Sequence, residues 1–256
     1  MELILVRHGQ PAWASPEGRG RNDPGLTELG HAQAARAGRR LADTEDLPGR
    51  GDVDRLFVSP AVRAQETAAP IAAALDLEIE TLDWLWEIRN PDSWEGAPME
   101  EVGLAFATLL AKPREEWWDG HPGGESPRDF HERVTTGLRA TLADLGITPA
   151  PDEPGLWDLT GPDGEPLLPS PQGSIYGAER GADEVDRIVA VAHGGTNSAI
   201  IAHLLGAAPE PWEWDRFTMG HASVAVLATT PMAGHHIWSL RALGDANHLP
   251  VDDRTY

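Results

Sequence analysis

Three short segments carry the side chains best suited to chemistry, and each joins an imidazole or a guanidinium to small residues. They are Arg7-His8-Gly9, residues 59–68 with Arg63, and His193-Gly194-Gly195. An arginine binds phosphate oxygens through a bidentate fork, and an imidazole can act as a nucleophile. Adjacent glycines let backbone N–H groups approach an anion where a helix begins. The set therefore suits the binding and transfer of a phosphoryl group.

Apolar runs precede all three segments and predict the strands that position them. Continuous runs of this kind are typical of strands buried on both faces of a sheet. The runs lie at 2–6, 53–58, 187–192 and 222–228, with weaker candidates at 77–81 and 236–241.

Helix signals alternate with these strands. Thr27 can cap a helix that runs to about Ala42, and Ser59-Pro60 and Ser126-Pro127 each place an N-cap residue before a proline. After Ser126, apolar residues recur at helical spacing until Gly146. A further helix is expected over roughly 196–205, ended by Gly206.

Alternating strands and helices predict a three-layer α/β/α sandwich with a mainly parallel central sheet. Residues 147–183 are rich in Pro and Gly and interrupt the alternation. We interpret them as an inserted loop or flap within a single domain spanning 1–256. Ligands of open α/β sheets bind beyond the carboxyl ends of the strands, so two His and two Arg are expected to meet there.

Six segments, in order along the chain, resemble the histidine phosphatase superfamily, which includes the cofactor-dependent phosphoglycerate mutases. The segments are Arg7-His8-Gly9, 26–34, 59–68, Leu85-Trp86-Glu87 with Trp94-Glu95-Gly96, Gly124-Glu125-Ser126, and His193-Gly194-Gly195-Thr196. The ending Asn247-His248-Leu249 also resembles the tail of many phosphatase members. The resemblance implies a phosphoglycerate mutase-like fold and a phosphohistidine intermediate.

The same resemblance implies a role for each site residue. His8 would be the nucleophile, with its other ring nitrogen donating to a backbone carbonyl to fix the tautomer. Arg7, Arg63 and His193 would stabilise the phosphoryl oxygens. Glu87 matches the general acid, which protonates the departing alkoxide and then activates water.

Two stretches depart from the family pattern. Many members place a hydroxyl residue after the equivalent of Gly9 and an Asn shortly afterwards, whereas this chain has Gln10 and, later, Asn22. Both are candidates to bind the phosphate, together with the backbone of Gly194. The acidic loop also differs, so Asp92 is a rival to Glu87 as the acid.

Ten tryptophans are many for this length, and two of them lie in loops that should border the site. We expect Trp13 and Trp94 to form walls around the organic part of the substrate. His235-His236 suggests a metal site, but adjacent strand residues point to opposite faces and cannot easily share one ion. No metal and no cofactor are predicted.

The composition limits the classes of partner that the chain is expected to bind. The formal net charge of −21 disfavours nucleic acid and anionic membranes, so an anionic substrate needs a local group of arginines. The chain has no Cys, no long apolar run and no basic leader, and a cytoplasmic location is expected. The oligomeric state stays open, with a homodimer among the options.

Three functions fit these features. The first is a phosphatase acting on a phosphate monoester of a small metabolite. The second is a phosphoglycerate mutase-type phosphotransferase, although His193-Gly194-Gly195-Thr196 looks more like the phosphatase members. The third is a non-catalytic module that binds a phosphorylated ligand.

Overall fold

Eight strands form one mixed sheet in the computed structural model, which describes residues 1–43, 53–161, 164–167 and 187–256. The sheet order is β3-β2-β6-β1-β7-β8-β5-β4. The strands are β1 Glu2–Arg7, β2 Arg55–Val58, β3 Ile79–Thr81, β4 Ile147–Pro149, β5 Trp157–Leu159, β6 Arg187–Ala192, β7 Val224–Met232 and β8 His235–Asp245. All six strands predicted from apolar runs are present, with small shifts at their ends.

The parallel half of the sheet consists of β3, β2, β6 and β1. Every residue of β6 is buried, because the strand lies between two others and is covered on both faces. This burial explains why its sequence is apolar without alternation. The carboxyl ends of β1, β2 and β6 therefore open on the same edge of the sheet.

The other half of the sheet is antiparallel, so the predicted α/β fold is confirmed but the sheet is less parallel than expected. β7 runs antiparallel to β1, and a two-residue turn joins β7 to β8. In that turn Ala233 has φ 51° and Gly234 has φ 84°. Two consecutive left-handed residues are typical of a tight hairpin, which can connect only antiparallel strands.

Helices cover both faces of this sheet. They are α1 Glu28–Ala42, α2 Val62–Leu75, α3 Met99–Leu110, α4 Arg114–Trp117, α5 Pro127–Asp144, α6 Gly194–Leu204 and α7 Glu213–Arg216. On β1, Leu3 and Leu5 pack in the core beneath α5 and α6, whereas Ile4 and Val6 pack in the core beneath α1 and α2. Alternate residues of a strand point to opposite faces, so this one strand contributes to both cores.

Two of the three predicted caps are present, and the third is wrong. The Thr27 side chain accepts from Gly30 N, and the Ser126 side chain accepts from Asp129 N. Ser59 is not the N-cap of α2, which begins after Ala61 without a side-chain cap. The Ser59 hydroxyl instead contacts a histidine of the site described below.

Residues 147–183 are not simply a loop where the structure describes them. β4 and β5 lie in this range and extend the sheet at its antiparallel edge, where Trp157 pairs with His236. They are drawn into the sheet because Trp157 and Leu159 are buried in its core. Residues 162–163 and 168–183 lie outside the described residues, and the single-domain organisation stays a prediction. None of the described helices has the length and apolar character needed to cross a bilayer.

Candidate active site

His8 follows β1 at the centre of the site and is 2% exposed. Its Nδ1 lies 2.8 Å from the carbonyl oxygen of Gly9. A carbonyl only accepts, so Nδ1 carries the proton and donates it. The Nε2 atom of the neutral ring therefore keeps its lone pair, as a nucleophile requires.

His193 brings a second buried imidazole to the same place. It precedes α6, and its ring centroid lies 5.1 Å from that of His8 at an interplanar angle of 61°. Its Nε2 lies 2.8 Å from Ser59 Oγ. Its buried Nδ1 has no hydrogen-bond partner among the described residues.

Two buried guanidinium groups adjoin the imidazoles. Arg7 donates from Nη1 to the carbonyl oxygen of Met219 at 2.6 Å and from Nη2 to His221 Nε2 at 3.2 Å. Arg63 contacts Asp23 Oδ1 at 3.3 Å. In the part of the chain that the structure describes, the Nε atoms of Arg7 and Arg63 are buried donors without a protein acceptor. An unpaired buried donor is costly, so the two groups are suited to an anionic ligand.

The charge state of the site follows from this burial. Burial lowers the pKa of His8 well below its usual value, and the charges of Arg63 and Arg7 lower it further. The pKa of His193 is lowered in the same way, by burial and then by Arg63. Burial also lowers the pKa of Arg7 and Arg63, while the nearby carboxylate of Glu87 raises it. The site thus combines neutral imidazoles with charged guanidiniums at neutral pH.

Glu87 reaches the site from the loop after β3. Its Oε2 accepts from Gly195 N at 2.8 Å and its Oε1 accepts from Ile88 N at 3.0 Å. The carboxyl group therefore lies beside the N-terminus of α6. Arg133 of α5 holds this loop by donating to the carbonyl oxygens of Trp84 and Trp86 at 2.9 and 3.0 Å.

One cavity of about 770 Å³ contains these groups. Its described lining includes residues that the sequence analysis selected for catalysis and binding: Arg7, His8, Trp13, Asn22, Arg63, Glu87, Asp92, Trp94 and Gly194. His193 lies behind this surface, fully buried against His8. Side chains from three strand ends and from the acidic loop therefore converge on one space.

Gln10 lies apart from the other residues expected to bind the phosphate. It is absent from the described lining of the cavity, and its side-chain oxygen accepts from Thr27 Oγ1 at 2.8 Å. The amide therefore supports the start of α1 instead of the site. Asn22 does border the cavity, but its amide donates to the carbonyl oxygen of Pro91 at 3.1 Å. Its side chain thus links two loops of the rim.

The two tryptophans occupy different places. The Trp13 ring lies 4.8 Å below the guanidinium of Arg63, a cation–π geometry that supports this cation. Trp94 instead packs on Phe106 and His121, with centroid distances of 5.1 and 4.8 Å. Trp13 therefore adjoins Arg63, and Trp94 belongs to an apolar part of the lining.

Three residues at the site were not singled out for it by sequence reasoning. The position of Ser59 before a proline indicates a helix cap, and His221 belongs to none of the motifs in the sequence. His221 is buried, and its Nδ1 bonds to Thr255 Oγ1 at 2.9 Å while its Nε2 contacts Arg7. Arg133 has no motif of its own. Only its i+8 spacing from Glu125, which it pairs with at 2.7 Å, could have drawn attention to it.

The adjacent histidines of β8 have separate surroundings. His235 Nδ1 lies 2.6 Å from Asp158 Oδ1, whereas His236 is buried. Within the described residues, no group of three or more His, Asp or Glu side chains is arranged to hold a metal ion.

Comparison with known sequences gives a family. The profile of the histidine phosphatase superfamily (branch 1) matches residues 3–146. A phosphoglycerate mutase dependent on 2,3-bisphosphoglycerate, from Bartonella tribocorum, is 35% identical over 137 residues, which are 52% of this chain and 64% of that protein. Phosphoserine phosphatase 1 of Hydrogenobacter thermophilus is 34% identical over 142 residues, or 52% and 61% of the two chains. The matches thus span less than two thirds of either relative.

Solved structures extend the likeness over nearly the whole chain. The native mycobacterial glucosyl-3-phosphoglycerate phosphatase has a TM-score of 0.62 and 26% identity, covering 95% of this chain and 98% of that one. A phosphoserine phosphatase mutant of Entamoeba histolytica, solved with phosphoserine, has a TM-score of 0.62 and 21% identity, covering 97% and 99%. At that identity the second match supports the fold alone. With the profile match and the fold in agreement, this chain belongs to the histidine phosphatase superfamily.

Proposed function

We propose that this chain is a metal-independent phosphatase that hydrolyses a phosphate monoester of a small metabolite through a phosphohistidine on His8. One observation carries the proposal. The neutral imidazole of His8 and two guanidiniums, each with a buried Nε that has no acceptor among the described residues, border one end of a shared cavity, and the neutral imidazole of His193 lies buried against His8. A phosphoryl group presents the oxygens that these donors lack.

The first step transfers the phosphoryl group to the protein. The Nε2 lone pair of His8 attacks phosphorus in line with the ester oxygen, so a P–N bond forms and the P–O ester bond breaks. Glu87, in its protonated form, gives its proton to the departing alkoxide. Arg7, Arg63 and His193 stabilise the charge spread over the non-bridging oxygens.

The second step returns the protein to its starting state. Water attacks the phosphoryl group opposite His8, and the carboxylate of Glu87 takes a proton from that water. The P–N bond breaks, its electron pair returns to Nε2, and inorganic phosphate leaves. Glu87 is then protonated again, ready for the next ester.

A mutase is the second candidate, because curated relatives carry that activity. A mutase returns the phosphoryl group to its substrate and must therefore keep water away from phosphohistidine. The phosphatase is favoured by a cavity that is open to solvent along α3, where Leu110 is 68% exposed. If conversion of 3-phosphoglycerate requires 2,3-bisphosphoglycerate and releases no phosphate, the mutase is the correct assignment.

The experiment is a phosphate-release screen over a broad panel of phosphate esters in the presence of EDTA. We expect turnover by the unmodified chain and none by His8→Ala, with acid-labile, base-stable phosphate trapped on the former after rapid quench. His31→Ala is the matched control, because His31 is a surface residue with a side chain 57% exposed. If the unmodified chain shows neither label nor turnover, the remaining candidate is a non-catalytic module that binds a phosphorylated ligand. The predicted cytoplasmic location and homodimer option stay predictions.

A further inference from the structure

The helix α3 supplies an apolar wall to the cavity. Five of its residues line this space, and Trp94 and Trp117 continue the wall. The five are Met99, Val102, Phe106, Leu109 and Leu110. A phosphoryl group at the His8 end fills only a small part of about 770 Å³, a volume in the range of sites for whole organic ligands.

This wall is incompletely covered by the protein. Only Val102 and Leu109 of α3 are buried, whereas Phe106 is 49% exposed and Leu110 is 68% exposed. An amphipathic helix ordinarily turns its apolar residues towards a core. Here two large apolar side chains border both the cavity and the solvent, so a ligand in the cavity can bury area that the fold leaves open.

A cluster of three rings holds the wall together. Trp94, Phe106 and His121 have pairwise centroid distances of 4.8 to 5.1 Å. Burial lowers the pKa of His121, and Lys112 lowers it further, so the ring is neutral at pH 7. The cluster therefore offers an uncharged aromatic surface.

Charges elsewhere in the lining do not favour a second anion. Apart from Arg7 and Arg63, the described lining contains two guanidiniums and five carboxylates. They are Arg21 and Arg89 against Asp23, Glu87, Asp92, Glu125 and Asp215. Asp23 is paired with Arg63, Glu125 is paired with Arg133, and Glu87 lies at the reacting end. This leaves Arg21 and Arg89 against Asp92 and Asp215, so the described lining offers no excess of positive charge to a second anionic group.

We propose that the organic group of the substrate is uncharged and apolar and lies against α3. This inference rests on the proposed phosphatase function and specifies its substrate class. The site would thus favour esters of apolar alcohols over phosphorylated acids, bisphosphates and polyols.

Primary alkyl phosphates test this inference. Ethyl, butyl and hexyl phosphate all release a primary alkoxide of similar reactivity and differ only in the number of methylenes. Each methylene that becomes fully buried in the cavity should raise kcat/KM about threefold to fourfold. We expect a rise of at least about tenfold from ethyl to hexyl phosphate. Glycerol 1-phosphate and 3-phosphoglycerate, the polar and anionic comparators, should stay at or below the ethyl ester.

The chain offers a matched pair of variants on α3. Leu110 and Leu104 are equally exposed at 68%, but Leu104 is absent from the described lining of the cavity. We expect Leu110→Ala to lower the hexyl-to-ethyl ratio of kcat/KM about fivefold, and Phe106→Ala/Leu110→Ala to lower it further. Leu104→Ala should leave the ratio unchanged. Because these side chains are exposed, folding of the variants is not at risk from a core cavity.

The outcomes separate the two proposals. A kcat/KM that is flat across the alkyl series, or highest for 3-phosphoglycerate, overturns the apolar substrate class and leaves the phosphatase intact. Equal effects of Leu110→Ala and Leu104→Ala also overturn it. Absence of phosphate release from every ester, including the broad panel, overturns both.

Discussion

The Ser59 hydroxyl has a different role in the structure from the one that its sequence position indicates. Its position before a proline is typical of a helix cap, yet its Oγ lies 2.8 Å from His193 Nε2. The pattern is local, whereas the contact joins residues 134 positions apart. Sequence reasoning could therefore place Ser59 at the strand end but could not identify its partner.

We expect Ser59→Ala to lower kcat/KM by about threefold to tenfold, the equivalent of one lost hydrogen bond that orients a buried ring. Steady-state kinetics on any substrate from the screen would measure it. Ser239→Ala is the control, because it removes a 3.0 Å hydroxyl contact with Thr230 on the distant β7–β8 hairpin. An equal loss in both variants would argue that stability, and not the orientation of His193, is responsible.

Glu87 and Asp92 can be separated as the general acid by their dependence on the leaving group. Glu87→Gln should lower kcat/KM for alkyl phosphates by about 10²- to 10⁴-fold, because the alkoxide then departs without a proton. It should lower kcat/KM for p-nitrophenyl phosphate much less, since that leaving group is stable as an anion and kcat/KM does not include the later attack of water. Asp92→Asn is the matched variant, because Asp92 also lines the cavity but is exposed. The opposite pattern would assign the acid to Asp92.

At the scale of elements, the start of α6 and the acidic loop are in close contact. Gly195 donates to Glu87, and a Cβ at position 195 would collide with Glu87 Oε1. A side chain at position 195 would therefore force the Glu87 carboxyl group to move, whereas backbone conformation does not demand glycine, since Gly195 is not among the residues with positive φ. This geometry explains a glycine that the sequence analysis assigned only to anion binding.

We expect Gly195→Ala to displace the carboxylate and lower kcat on alkyl phosphates by at least about tenfold. The double variant Glu87→Ala/Gly195→Ala should then be no slower than Glu87→Ala alone, because the colliding group is gone. Kinetics of the four proteins in this cycle would measure the coupling. Additive losses would instead show that the methyl group obstructs the phosphate directly.

The strands differ in how well the local sequence predicts them. β1, β2, β6 and β7 were predicted because two-sided burial leaves a continuous apolar run. β4 and β5 were not predicted, because a strand of three residues beside Pro and Gly is too short to show a hydrophobic period. The pairing of β5 with β8 is a tertiary contact that the local sequence does not indicate. The role of His221 was missed for a similar reason. It depends on β7 pairing with β1, which brings the residues around 221 to Arg7.

For the whole molecule, buried neutral histidines predict how stability depends on pH. Burial lowers the pKa of His203 and His248 to about 4 and that of His221 to about 3, and lowers those of His8 and His193 as well. The unfolded chain has histidine pKa values near 6.5, so between pH 6.5 and 4 it binds more protons than the folded protein. This contribution to stability is complete above that window and is lost as the pH falls through it.

We therefore expect the free energy of unfolding to decrease steadily from pH 7 to pH 5, with uptake of more than one proton on unfolding. Urea denaturation followed by tryptophan fluorescence at several pH values would measure the slope. His203→Gln should reduce the slope, because Gln can still accept the 3.0 Å hydrogen bond of Arg139 but does not titrate. A free energy that is constant or increases on acidification over this range would contradict the expectation.

The contact between His221 and Thr255 links Arg7, through His221, to the segment around residue 255. Thr255 also bonds to Gln33 of α1, and its carbonyl oxygen accepts from His221 N at 2.9 Å. A truncation after Arg254 would thus remove both contacts of His221 with Thr255 and loosen the histidine that contacts Arg7. The truncated chain should consequently lose activity under conditions in which it remains folded.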